Sequence, residues 1–595
     1  MVQGFACRDT CLSPDSGQAG GVDVTMINSL PTLPALLEHI GRERPVQQPS
    51  LIQITSVLMA GCLHAAGIAW PFYFGLEFGQ PVWWLQALSL VVLVWQLQAC
   101  RSVRQGAWLG WLFATAMQCA TWWWLFISLH TYGGLAAPLT VVAIVGLAGF
   151  LALYYAAICS VFMLLAQINR AWIAIIFAAL WLLAELGRVE FFTGFPWGEG
   201  GYAQLDGPFA NLAKLVGVHG LTFSVALAAA ALAGLLRRPR WINAGLLVAG
   251  LLLAMAASLA LRVESGAASH FTSALSPDAG KKPFVVTLLQ GNIAQDEKFQ
   301  GGSGIPDALN WYGVQLRDAT SSLVVTPETA LPLLPADLPD GYLDALLKRF
   351  TQPVSEAAGG PQAAALIGIP LGNSQRGYTN SVIGLKPASL SAAGQRIGDI
   401  NDNVYRYDKH HLVPFGEFVH PLFKWFLAIV NMPLSDFNRG DVSQASFDWQ
   451  GQRLAPNICY EDLFGEELAR RFTDPTKAPS IFVNISNIAW FGDSIAINQH
   501  LNISRMRAIE FERPMIRATN TGATVIIDHR GQITHALPRL TRGVLVGEVE
   551  GRSGITPYAW WVSRFGLWPL WGLCIAIVFV AAGTRFYWVR ERSDS

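Results

Sequence analysis

Apolar stretches long enough to cross a bilayer, which takes about 20 residues, recur at roughly 52–70, 81–99, 107–129, 137–167, 171–187, 215–236, 241–262 and 562–584. Seven precede, and one follows, a long polar segment at 265–555 in which short β-rich runs alternate with helical ones. This pattern predicts a polytopic α-helical membrane domain of about eight transmembrane helices, seven of them within 51–264, and a layered α/β domain at 265–555. A C-terminal helix and a basic tail complete the chain at 556–595. Predicted strands are Pro283–Gln290, Ser322–Thr326, Ala364–Ile369, Ser381–Leu385, Val404–Tyr407, Leu454–Cys459, Ile481–Ile485, Thr524–Asp528 and Gly543–Val549; predicted helices are Ala308–Thr320, Tyr342–Val354, Glu466–Phe472 and Asn498–Glu512. Residues 1–50 are polar, rich in Gly, Pro and Ser, and lack a cleavable signal pattern, so they read as a disordered cytoplasmic leader.

Composition supports a partly membrane-embedded chain. With 52% hydrophobic and only 14% charged residues, and a mean hydropathy of +0.36, it is too apolar for a soluble enzyme of 595 residues. The 22 Trp and 32 Phe suit aromatic belts at bilayer interfaces. A formal net charge of zero gives no argument for nucleic acid as a partner. Under strict alternation of the spans, Arg42, Arg44, Arg101, Arg104, Arg170, Arg237, Arg238, Arg240, Arg585, Arg590 and Arg592 all fall on one side, while loops 71–80 and 130–136 carry no Lys or Arg. Basic loops stay cytoplasmic. The 265–555 domain is therefore expected to be exported, which in a bacterium means periplasmic on the inner membrane.

Cys459 is the only cysteine between 265 and 555, so it has no disulfide partner there. Cys62, Cys100, Cys119, Cys159 and Cys574 lie in apolar segments, where a thiol acts as a small hydrophobe. Cys459 instead ends a strand-like run and precedes Tyr460, Glu461 and Asp462, the setting of a nucleophile. Two further polar motifs sit at strand ends: Glu328 after Pro327, and Lys409 opening a run through His411, Pro414 and Gly416 to Glu417. Together these supply a base, a cation and a thiol. A desolvated Glu328, raised until it is basic enough, takes the thiol proton as Cys459 attacks an ester carbonyl, and Lys409 offsets the oxyanion, worth about 3 kcal/mol when preorganised. Collapse to a thioester and transfer to an amine make the cycle ping-pong.

The Glu, Lys and Cys in this order, in their Pro-Glu, Lys-x-His-Leu-Val-Pro-Phe-Gly-Glu and Ile-Cys-Tyr-Glu contexts, resemble the nitrilase superfamily. Further matches are residues 290–295, 378–381, 489–494, Gln499-His500, 517–522 and, in the membrane half, 192–197. With membrane helices on both sides, the chain closely resembles the membrane-embedded apolipoprotein N-acyltransferase family. That resemblance implies a nitrilase-like αββα sandwich. It also implies transfer of the sn-1 acyl chain of a phospholipid, typically phosphatidylethanolamine, through Cys459 to the α-amino group of the diacylglyceryl-cysteine of an apolipoprotein. Carried over by motif, Glu328 is the base, Lys409 the oxyanion partner and Cys459 the nucleophile, supported by Glu417, Tyr460, Glu461 and Asn380, with Trp197 on the lipid-access side. No cofactor and no metal are expected, since His410, His411, His420 and His500 lack ligand spacing with any cysteine, and His411 and His500 read as structural or as supports behind the site residues. A monomer is expected. Ile488 and His420 depart from the family pattern, which commonly has Asp and Pro there.

Residues 421–433 are too short to span and too apolar for an exposed loop. They are expected to form a lid over the acyl entrance, anchored at the interface by Trp425 and Phe426. Two rival readings are a membrane-tethered amidase, which leaves seven helices without a role, and a catalytically dead scaffold, which has no need of Glu328 or Lys409.

Overall fold

The computed structural model describes residues 48–166, 172–239, 241–262, 283–351, 362–387, 404–418 and 437–593. Nearly all of the expected leader, the 421–433 segment with Trp425 and Phe426, and His420 lie outside the described residues.

Every apolar segment is helical. The helices are α1 (Leu51–Ile68), α2 (Trp83–Ala99), α3 (Val103–Trp122), α4 (Ala137–Ala166), α5 (Ile173–Glu190), α6 (Ala213–Arg237) and α7 (Trp241–Arg262). Ser50 opens α1 with a capping box to Gln53. Among the described residues four helices, α1, α4, α6 and α7, are long and apolar enough to cross a membrane, while α2 is apolar but 17 residues long. Helix α5 carries Glu185, Arg188 and Glu190, and the first two pair at 2.8 Å. The C-terminal helix expected at 562–584 is instead two helices, bent by 85° relative to each other, over Pro557–Phe565 and Trp568–Thr584. Gly566, at φ 56°, makes the break, a conformation that disfavours any residue with a Cβ.

The polar domain folds into two six-stranded sheets, with strand orders β12-β1-β2-β3-β4-β5 and β11-β10-β9-β8-β7-β6. In chain order the strands are β1 (Phe284–Gln290), β2 (Leu323–Val325), β3 (Ala364–Asn373), β4 (Gly377–Leu385), β5 (Tyr405–Asp408), β6 (Phe447–Trp449), β7 (Gln452–Ile458), β8 (Ile481–Ser486), β9 (Met515–Thr519), β10 (Val525–Ile527), β11 (Ile533–Ala536) and β12 (Gly543–Val549). Each sheet has a parallel centre, β1-β2-β3 or β7-β8-β9, and antiparallel flanks. Alternation along the strands builds the layers. Leu323 and Val325 enter the core between the sheets with Leu366, Ile458 and Ile485. Val324 and Ala365 face outward, under α8 (Gly304–Asp318) and α9 (Tyr342–Thr351). The outer face of the second sheet packs on α10 (Ala496–Phe511) and on membrane-helix residues such as Leu182 and Leu186. The result is an αββα sandwich. Strands β6, β9 and β11 went unforeseen: β6 is three residues long, β11 is four residues and exposed throughout, and Met515–Thr519 carries Arg517 within an otherwise apolar run.

Helix α10 is where the sandwich meets the membrane helices. Trp124 Nε1 and Trp197 Nε1 both donate to Gln499 Oε1, at 3.0 and 2.8 Å, and Gln499 Nε2 donates to Thr121 O at 3.2 Å. Asn498 and Asn502 donate to the carbonyls of Phe78 and Gly79, and Arg505 pairs with Asp206 at 2.7 Å. Buried polar groups need partners, and here each end of the interface supplies them.

Candidate active site

Strands β2, β7 and β8 of the parallel centres and β5 of an antiparallel flank deliver the chemistry at their carboxyl ends, the usual site position in open α/β sheets. Glu328 follows β2, Lys409 follows β5, Cys459 follows β7 and Asn487 follows β8. Two of these turns are strained: Thr329, beside Glu328, has φ 49°, and Cys459 has φ 53°. Non-glycine residues in this region cost about 1–3 kcal/mol each and cluster at functional sites. Cys459 thus lies outside the strand expected to end on it, as the first residue of a 3₁₀ turn, Cys459–Leu463. Gly368 lets β3 lie against the Glu328 turn, because a Cβ there would meet Pro327 O and Thr329 N.

Glu328 is buried and fully bonded. Its Oε1 accepts from Asn380 Nδ2 at 2.7 Å and Lys409 Nζ at 3.2 Å, and its Oε2 accepts from the Asn487 N–H at 2.8 Å. Lys409 Nζ also reaches Glu417 at 2.9 Å, and Asn380 Nδ2 donates to Glu417 Oε1 at 2.8 Å. Lys298, absent from the expected site, donates from Nζ to the Glu328 carbonyl at 3.0 Å and is itself buried. Two carboxylates and two ammonium groups form a balanced cluster. Such balance matters because an unpaired buried charge costs several kcal/mol.

These charges overturn the expectation that desolvation raises Glu328. Burial alone would raise its carboxyl, but Lys409 and Lys298, with the hydrogen bonds from Asn380 and Lys409, outweigh burial and hold it below the usual carboxylate range. Glu328 is therefore an anion at rest. The thiol is its complement: burial first, then the Glu328 charge, push Cys459 up to about 12, against easing by Lys409 and Ser486. Burial draws Lys298 down to about 8, against the pull of Glu328. Lys298→Met should accordingly raise the Glu328 pKa and move the acid limb of Cys459 acylation to higher pH by about one unit, the low end for removal of a neighbouring opposite charge. Acylation rates measured from pH 3 to 8 check this, and an unmoved limb would remove Lys298 from the electrostatics.

The supporting residues divide by role. Glu461 is a clamp. Its Oε1 accepts from the N–H of His410 at 2.6 Å and of His411 at 3.3 Å, and its Oε2 accepts from Tyr407 Oη at 2.8 Å and the Ile458 N–H at 2.6 Å. The Lys409 turn is thereby fixed to the Cys459 turn. The Tyr460 phenol donates to Gly194 O at 3.2 Å in the membrane-side loop. His411 stacks on Phe464 with centroids 3.5 Å apart and places Nε2 2.9 Å from Thr193 O, a structural position. Trp197 is buried in the α10 interface, and Ile488 is buried in the turn after Asn487. Lys298 and the Asn487 N–H escaped sequence reasoning, although both lie beside motifs that were visible. Asn487 Nδ2 donates to Gln295 Oε1, and Asn520 Nδ2 donates to Asn487 Oδ1 and to Ile293 O. The 290–295 and 517–522 motifs are thus interlocked through Asn487, which lies just before the 489–494 motif.

Residues 289–557, which hold both sheets apart from the start of β1, match the family described as Carbon-nitrogen hydrolase. Residues 56–231 match the Apolipoprotein N-acyltransferase N-terminal domain. The chain is 55% identical over 537 residues, 87% of its length and 94% of the relative's, to an apolipoprotein N-acyltransferase of Verminephrobacter eiseniae. It is 41% identical over 511 residues, 84% and 90% of the two lengths, to one of Ralstonia nicotianae, and 39% identical over 551 residues, 88% and 96%, to one of Bordetella bronchiseptica. The chain belongs to the apolipoprotein N-acyltransferase family, and it is an acyltransferase of lipoprotein biosynthesis.

Proposed function

We propose that the chain moves the sn-1 acyl chain of a phospholipid, phosphatidylethanolamine foremost, through a Cys459 thioester to the α-amino group of a diacylglyceryl-cysteine apolipoprotein. The observation that carries this reading is the anionic Glu328 held by Lys409, Asn380 and the Asn487 N–H beside a neutral thiol. Glu328 takes the Sγ proton as sulfur attacks the ester carbonyl; the C–S bond forms and the carbonyl π pair moves onto oxygen, opposite Lys409. Collapse breaks the ester C–O bond, and Glu328 returns its proton to the leaving lysophospholipid oxygen. The acceptor amine then attacks the thioester, Glu328 receives the amine proton, and the departing sulfur regains it. Atoms and charge balance over the two halves.

Chain organisation supports the same reading. A donor chain carried through water would cost about 0.8 kcal/mol per CH₂, and a catalytic sandwich seated on apolar helices removes that passage. In this proposal about eight helices cross the bacterial inner membrane, the sandwich is periplasmic, the leader is cytoplasmic, and one copy of the chain suffices. Residues 421–433, with Trp425 and Phe426 at the interface, serve as the lid. Trp197 is left out of the access route, because its indole is buried and bonded to Gln499. A membrane-tethered amidase remains the rival. Incubating the purified protein with phospholipid labelled in the sn-1 chain, then adding a diacylglyceryl-cysteine peptide, should place label first on Cys459 and then on the peptide amine. Hydrolysis of small amides with no label on Cys459 would favour the amidase.

A further inference from the structure

We infer that His500 is a positioning residue for the acyl-transfer step, holding the Cys459–Tyr460 peptide so that its N–H faces the oxyanion formed on Cys459; this rests on the acyl-transfer reading above. The Cys459 carbonyl accepts from His500 Nε2 at 3.1 Å and from Asn484 Nδ2 at 3.3 Å. A trans peptide directs its C=O and N–H to opposite sides. The Tyr460 N–H is therefore turned away from His500 and Asn484. In nucleophiles carried on a tight strand-to-helix turn, the N–H of the following residue is the one that meets the tetrahedral oxygen, and Cys459, at φ 53° between β7 and a 3₁₀ turn, has that setting.

The hydrogen bonds also fix the imidazole's protons. Arg517 lies with a guanidinium nitrogen 2.7 Å from His500 Nδ1, and an arginine can only donate. Nδ1 is thus the acceptor, and Nε2 carries the hydrogen that it shares between Cys459 O and Asp462 Oδ1, the latter at 2.9 Å. Asp462 is held in turn by Ser504 and Arg517. On its other side the imidazole meets the Trp197 ring, with centroids 5.4 Å apart, and the preceding residue, Gln499, receives both indole N–H groups of the membrane interface. His500 is wholly buried, so it acts on the reaction through the Cys459 carbonyl and not on the substrate. The seam with the membrane helices consequently sets the geometry of the oxyanion site.

The test compares two reactions of Cys459 in the full chain in detergent. Acylation by a water-soluble p-nitrophenyl ester passes through a tetrahedral oxyanion; mixed-disulfide formation with a methanethiosulfonate reagent does not. Both are followed on the Cys459 peptide by mass spectrometry, because other thiols are present. His500→Leu should slow acylation by about 10²-fold, the usual cost of one oxyanion donor, while the methanethiosulfonate rate stays near wild type. His500→Gln, which retains an N–H donor, should recover part of the loss. Parallel losses in both reactions, or acylation unchanged in His500→Leu, would overturn the assignment. Wild-type protein acylated by the nitrophenyl ester but not by phospholipid would remove the proposed donor and leave the His500 assignment standing; wild type acylated by neither would overturn both.

Discussion

Cys459→Ala is expected to abolish labelling of the protein by phospholipid and with it all transfer to a lipoprotein amine, a loss on the order of 10⁶-fold, as when other covalent nucleophiles are removed. The reason is that no other group in the cluster can hold an acyl chain. Glu328 is engaged at both oxygens, and Lys409 bridges two carboxylates. Cys459→Ser should fare little better, since a hydroxyl has a far higher pKa than a thiol and Glu328 sits below the usual carboxylate range. The fold should survive both changes. Because Cys459 has φ 53°, Cys459→Gly relieves backbone strain and should unfold at a temperature no lower than that of Cys459→Ala. Transfer retained by Cys459→Ala would exclude the thioester.

The motifs of the candidate site were legible because each sets a residue type able to act as base, cation or nucleophile at a strand end. Glu328, Lys409 and Cys459 could be named from the chain; the structure joins Glu328, Lys409, Asn380 and Glu417 in one hydrogen-bonded cluster whose charges act on the Cys459 thiol, with Glu461 tying the Lys409 turn to the Cys459 turn. What the sequence concealed was charge balance. Lys298 sits at the end of the 290–295 loop, and nothing local marks it as buried; its partner, the Glu328 carbonyl, is supplied by a distant turn. Glu328 is depressed and not raised because Lys409 pairs with it directly at 3.2 Å, with Lys298 adding a second nearby charge. Helix α10 hid its role for a related reason. Asn498, Gln499, Asn502 and Arg505 give it a solvent-facing pattern, yet those side chains bond to membrane-side groups between Phe78 and Asp206. A polar helix face reads as wet when its partner surface lies hundreds of residues away. The break at Gly566 was invisible because hydropathy averages across it.

Glu328→Gln carries the sharpest prediction, because its two effects on Cys459 have opposite signs. The Glu328 charge is one of the forces that push the thiol up to about 12, so removing it should lower the pH at which Cys459 reacts with a methanethiosulfonate reagent. Were Glu328 only a charged neighbour, the more acidic thiol would then acylate faster. As the general base it must be present to receive the proton and return it to the leaving oxygen, so acyl transfer should instead fall by about 10²–10⁴-fold. Glutamine keeps an oxygen for the Asn487 N–H but turns an amide NH2 toward the donors Asn380 and Lys409, so the variant's melting temperature is measured alongside its kinetics. Lys409→Met reverses the first sign. Its ammonium eases the thiol downward, so its removal should raise the reactive pH, while loss of charge opposite the oxyanion lowers acyl transfer by about 10²-fold or more. Lys409→Met also leaves Glu328 and Glu417 facing Asn380 with only Lys298 nearby, so a fall in thermal stability should accompany it. A Glu328→Gln enzyme whose thiol titrates lower and whose acyl transfer is undiminished would remove Glu328 from proton transfer and leave the base unidentified.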